Sequence, residues 1–158
     1  MINFKNKKGT GLIEIVVGLS IISVSFFSVV TAYNFFIKVA VRNADVTKIN
    51  YLLEEEVEVV RSLRDTNWTN FYNLATSTNY SIIFEEGIWK ATTTNIYVDN
   101  RFERYFILND VYRDAGGDIA VSGTLDSGIR KVSAFVSISV AGATSTQTVD
   151  FYLTNLFE

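Results

Sequence analysis

The hydrophobic pattern of the chain opens with one long apolar run. From Leu12 to Ile37, 26 residues include a single charged side chain, Glu14. As a helix this run measures roughly 39 Å at about 1.5 Å per residue. A bilayer core requires about 20 such residues. Beyond the run the helical spacing persists, but on one face only. Ile49, Leu52, Leu53, Val57, Val60 and Leu63 recur at steps near three and four. Glu54, Glu55 and Glu58 fall mostly beside or opposite that face, and the acidic group Glu54-Glu55-Glu56-Glu58 reads as a solvated helix face. Arg61 and Arg64 stand in the last turn, where cations complement the helix dipole. Asp65-Thr66-Asn67 supplies a stop. The spacing predicts a nearly continuous helix from about Thr10 to Leu63, apolar all round and then amphipathic. The amphipathic half is expected to lie against a globular domain.

After Trp68 the period changes. Thr, Asn, Ser, aromatic and β-branched residues dominate, which favours strands and turns. Residues 80–85 and 88–92 flank Glu86-Gly87, a short hairpin signal. Residues 101–113 form a long mixed strand candidate. In 129–141, Val132, Ala134, Val136, Ile138 and Val140 alternate with Ser133, Ser137 and Ser139. Residues 142–146 are expected to turn the chain. In 147–155, Val149, Phe151 and Leu153 alternate with Asp150, Tyr152 and Thr154. The expected fold class is α+β, a long N-terminal helix packed on a C-terminal antiparallel sheet. The expected segments are a basic leader (1–9), an apolar helix (10–37), its amphipathic continuation (38–66) and a β domain (67–158). No repeat of solenoid length is evident.

Composition narrows the chemistry. The 158 residues include no histidine, cysteine or proline. The usual general base at neutral pH and the commonest metal ligand are therefore missing. Disulfides are excluded, as are proline kinks. Basic residues form no aromatic-rich stripe, so no direct nucleic-acid site is evident. Net charge is −3, and it is unevenly placed. Lys5, Lys7 and Lys8 precede the apolar run; without them 11 basic residues face 17 acidic ones, net −6. These lysines predict a cytoplasmic N-terminus, with the remainder of the chain across the membrane.

Glu14 is the costly residue. A charge at the bilayer centre costs roughly 2.5–3.5 kcal/mol. Near the end of the run the cost is lower, because the side chain can reach the headgroups. That accounts for its tolerance but gives it no task. A plain transmembrane anchor and a secretory signal peptide are the simpler readings of the run. Val30-Thr31-Ala32 fits a small-residue cleavage site, but the run exceeds a signal-peptide core of about 7–15 residues.

Lys8-Gly9, then Thr10-Gly11-Leu12-Ile13-Glu14, then the apolar helix, resembles the prepilin-type N-terminus of type IV pilins and type II secretion pseudopilins. The matching motif covers residues 8–37. Thr10 and Gly11 stand where that family usually has Phe and Thr. The resemblance implies that a membrane prepilin peptidase cuts after Gly9 and methylates the new amine of Thr10. It also implies that Glu14, fifth in the mature chain, pairs with the terminal ammonium of a neighbouring subunit in a helical filament. The implied partners are the membrane, the peptidase, other pilin subunits and the pilus or secretion assembly machinery. The implied location is the cytoplasmic membrane, then an extracellular or periplasmic filament. No cofactor and no enzymatic activity are implied.

Other chemistry is thin. Leu125-Asp126-Ser127-Gly128 resembles an aspartic protease turn, but that chemistry needs two aspartates and one copy is present. Asp110, Asp114, Asp118 and Asp126 surround the glycine-rich segment 113–118. Asp114, Asp118 and Asp126 are weak calcium candidates, although their spacing does not match an EF-hand loop. Asn67-Trp68-Thr69 and Asn79-Tyr80-Ser81 are glycosylation sequons whose meaning depends on the host. The rival to a filament subunit is a single-pass anchored extracellular binding domain that is neither cut nor polymerised.

Overall fold

The computed structural model describes residues 10–140 and 142–156; of Thr10 only the backbone is described. Contacts divide the chain into two units, Met1–Asp45 and Val46–Glu158. Helix α1, Thr10–Thr66, runs through the boundary as one element of 57 residues. It ends close to where the spacing of apolar residues predicts.

In the first unit the helix is exposed along nearly its whole length, and from Leu12 to Ile37 Glu14 is its one charged residue. Its polar side chains do not interrupt that apolar run. The hydroxyls of Ser20, Ser23, Ser25, Ser28 and Thr31 each donate to the carbonyl four residues earlier, at 2.7–2.8 Å. Each donor is thus satisfied within the helix, as a segment in hydrocarbon requires. The helix is long and apolar enough to cross a membrane.

In the second unit the last turns of α1 pack on an antiparallel sheet. A five-residue helix α2, Trp68–Tyr72, follows, capped by Asn67, whose side chain accepts from the Asn70 amide at 2.8 Å. Then come β1 (Asn79–Glu85), β2 (Ile88–Thr92), β3 (Tyr97–Val98), β4 (Phe102–Arg113), β5 (Ile119–Ala120), β6 (Thr124–Val140) and β7 (Ala143–Thr154). The strand order is β2-β1-β4-β6-β7, with β3 and β5 also pairing with β4. The β1–β2 hairpin turns at Glu86 and Gly87, both at positive φ (56° and 81°), the backbone of a two-residue turn whose twist suits antiparallel strands.

The core has two parts on one face of the sheet. Val59 and Val60 of α1 meet Phe71, Tyr80, Ile82, Phe106, Leu108, Val132 and Leu153. Nearer the start of this unit, Ile49, Leu52 and Leu53 meet Phe102, Ala134, Val136 and Ile138. Register explains the grouping: Phe102, Phe106 and Leu108 on β4 stand opposite Ile138, Ala134 and Val132 on β6, and so share a face.

Two strands begin well before the sequence expectation. β7 begins at Ala143, not Gln147, and the segment 143–146 pairs with β6 up to Val140↔Ala143. Its first eight residues are all exposed, so hydrophobicity marks no strand there; backbone pairing alone makes it one. β6 begins at Thr124, not Ile129, because Thr124 and Leu125 pair with Arg113 and Tyr112 across an irregularity between Asp110 and Tyr112. Asp126 therefore lies within a strand rather than in a loop before one.

Candidate functional site

The apolar part of α1 carries one acid. Glu14 is exposed on the helix, and among the described residues no ion pair or hydrogen bond to its side chain is formed. It is the fifth residue of α1, counted from Thr10. The opening backbone N–H groups of a helix have no intrahelical acceptor and carry partial positive charge, which favours an acid nearby. Gly9 lies outside the described residues.

A second acid is placed unexpectedly. Glu56 is fully buried, so it is not part of the solvated face to which the acidic group was assigned. It sits three residues after Leu53 and four before Val60, inside the apolar stripe that packs on the sheet. Val57, expected in that stripe, is only half-buried. Neither Glu56 carboxyl oxygen has a hydrogen-bond partner. Burial pushes its pKa up to about 8; the nearby Arg104 guanidinium lowers it and Glu55 raises it. Glu56 is therefore held mainly neutral at pH 7.

Arg104 comes from β4 and is itself buried, 7 % exposed. It stands opposite Val136, in phase with Phe102 and Phe106, and so points toward the helix. Its Nη1 donates to Glu55 Oε2 at 2.5 Å. The sequence carried a signal for both buried charges: each occupies an apolar phase, Glu56 in a period near 3.6 and Arg104 in a period of two. Counting the acids as one run hid the first.

At the far end of the same sheet Arg130 is buried with its guanidinium over the Tyr72 ring, 3.8 Å from the centroid. It pairs with Asp110 and donates to the Tyr72 carbonyl at 2.7 Å. This anchors α2 to the centre of β6.

Of the three calcium candidates, Asp114 and Asp126 have their carboxylates engaged locally, and Asp118 joins through its backbone amide. Asp114 Oδ1 accepts from the amides of Gly116 and Asp118, at 2.9 and 3.0 Å. Asp126 Oδ2 accepts from Arg113 Nε at 2.5 Å, and its Oδ1 accepts from the Gly128 amide at 2.9 Å. The Arg113 hydrogen bond, then the Gly128 amide, hold the Asp126 carboxyl below its ordinary range. Among the described residues no three acidic side chains gather as a metal-holding group. The segment closes as a turn tied by Arg113, which also donates to the Gly117 carbonyl at 2.6 Å.

Comparison with protein-family models, with curated proteins and with solved structures found no match to this chain. Function is therefore argued from its own residues.

Proposed function

We propose that the chain is a prepilin-like structural subunit of a type IV pilus or a type II secretion-like pseudopilus. It is inserted with its N-terminus in the cytoplasm, cut between Gly9 and Thr10, and methylated on the Thr10 amine. It then assembles through α1, and the mechanism is assembly without catalysis. The single observation that carries this reading is Glu14, a lone acid five residues into a helix that starts at Thr10 and is otherwise apolar to Ile37.

The physical logic runs from that acid. In the membrane a lone carboxylate is expensive. Cleavage after Gly9 creates an ammonium at Thr10, and an ammonium on a neighbouring copy offsets the carboxylate. Pairing of like subunits by unlike groups gives a heterologous contact, which propagates as a helical filament. Leu12–Ile37 serves first as a membrane reservoir and then as the filament core. The β domain faces outward and carries the specificity for whatever the filament touches. The internally satisfied Ser and Thr hydroxyls support both lives of the helix, since neither lipid nor a filament core supplies them with water.

Glu14→Ala is the test. Incorporation into sheared filaments is expected to be abolished, while membrane insertion stays intact. Unchanged incorporation would remove the role assigned to Glu14.

A further inference from the structure

β1 runs beside β4 for a short distance only. Asn79 stands opposite Ile107 and Tyr80 opposite Phe106. Farther along, β3 takes the place of β1, with Tyr97 opposite Glu103 and Val98 opposite Phe102. Arg104 and Tyr105 lie between the two ladders. A cleft of about 150 Å³ opens there, lined by Asn79, Ser81, Thr93, Asn95, Glu103 and Tyr105. Glu103 and Tyr105 alternate with the buried Phe102, Arg104 and Phe106, so they stand on the sheet face opposite the core. All six residues belong to the second unit.

Most polar groups of this cleft are unused. Ser81 is 4 % exposed, yet among the described residues its hydroxyl has no hydrogen-bond partner. A buried hydroxyl ordinarily has one. The Asn79 amide and the Thr93 and Tyr105 hydroxyls are likewise unpaired among the described residues. Glu103 is held in place, because its Oε1 accepts from Asn95 Nδ2 at 2.6 Å and its Oε2 from Ser137 Oγ at 3.3 Å. The first of these bonds leaves the Asn95 carbonyl oxygen open. Three hydroxyls and two amides thus offer donors and acceptors together. Glu103 is the one charged side chain in the lining, which disfavours an anion. One wall is aromatic. Tyr105 stacks on Phe135 of β6, with centroids 5.0 Å apart and planes at 15°. Phe135 covers the ring face toward β6, so the other face is turned to β1 and the cleft.

We infer that this cleft binds one pyranose ring of a neutral sugar. Each hydroxyl of a pyranose both donates and accepts, which matches the mixed set around Ser81. One side of the ring is a patch of C–H groups, which matches the open face of Tyr105, since an aromatic face is electron-rich. At about 30 Å³ per water the cleft has the volume of about five waters, which suits a single ring. A closed ring also loses little freedom on binding, and the Asn95 and Ser137 bonds fix the Glu103 acceptor beforehand. The inference goes beyond the filament reading and does not depend on it, because the cleft lies wholly in the second unit.

Saturation-transfer NMR on the full chain in detergent tests this, with the methyl pyranosides of glucose, galactose, mannose and N-acetylglucosamine as probes. At least one is expected to bind with a Kd of about 1 mM, the range for a ligand of this size. Saturation should be strongest on the protons of one ring face. Thr93 is exposed and outside the strands, so Thr93→Trp fills the cleft without entering the core; it is expected to abolish binding. Tyr105→Leu is expected to weaken binding about tenfold, and Tyr105→Phe, which keeps the ring, to weaken it less. Unchanged unfolding midpoints show that the variants are folded. Absence of binding by all four sugars, binding that survives Thr93→Trp, or equal binding of glycerol would overturn the inference. The measurement needs no filament, so such a result leaves the filament reading intact.

Discussion

Glu56 carries the sharpest residue-scale consequence. Its ordinary value lies near 4.5, and burial raises it to about 8 in the folded chain. The folded state therefore holds a proton that the unfolded state releases across that interval. Stability from this proton is complete below about pH 4.5 and declines as pH rises toward 8. The total loss is on the order of 5 kcal/mol if nothing else relaxes. Denaturant unfolding of the full chain in detergent is expected to show this decline. In Glu56→Gln, which cannot ionise, the decline between pH 5 and 8 should largely vanish. An identical pH profile in the variant would show that Glu56 is hydrated or paired. Arg104 is the only described cation facing it from the sheet; Glu55 on the same helix takes that cation's hydrogen bond and leaves Glu56 without one.

At the scale of elements, two sites test the packing. Phe106 is fully buried at the centre of β4 and stacks on Tyr80 at 5.6 Å between centroids. Phe106→Ala is expected to cost about 3–5 kcal/mol, read from the unfolding midpoint. Gly123 precedes β6 at φ 151°, and an added Cβ would sit 2.1 Å from the Arg113 carbonyl oxygen. Gly123→Ala must shift backbone, with an expected cost of roughly 1–3 kcal/mol; a neutral result would mean that the 113–124 segment is not held closed.

These elements also mark how far the sequence reaches. The amphipathic part of the helix and the core of β6 follow from periodicity because each puts apolar residues on a buried face, whereas β1 and β2 are marked by the Glu86-Gly87 turn between them. The start of β7 is marked by neither, because its Thr, Ser and Gln side chains are exposed and only backbone bonds define the strand. Glu56 and Arg104 break the polarity rule rather than the period. Asp126 pairs with Arg113 thirteen residues away, a partnership set by strand register, which spacing alone does not contain. Glu14 was legible from the start, since a charge inside an apolar run needs no tertiary context to stand out.

At the scale of the whole molecule, the two units have different tasks under the proposed function. The first is an apolar helix whose surface is unfilled in the single chain. The second is a folded α+β unit whose core closes on itself. Under that proposal the helix carries the assembly information and the sheet the outer surface. Under the proposed function the helix is released for assembly by cleavage after Gly9. Intact-mass measurement and N-terminal sequencing of the protein purified from native membranes test it most directly. A chain that begins at Thr10 and is heavier by one CH2, a methyl in place of a hydrogen, is expected. A chain that still begins at Met1 would contradict the proposed cleavage.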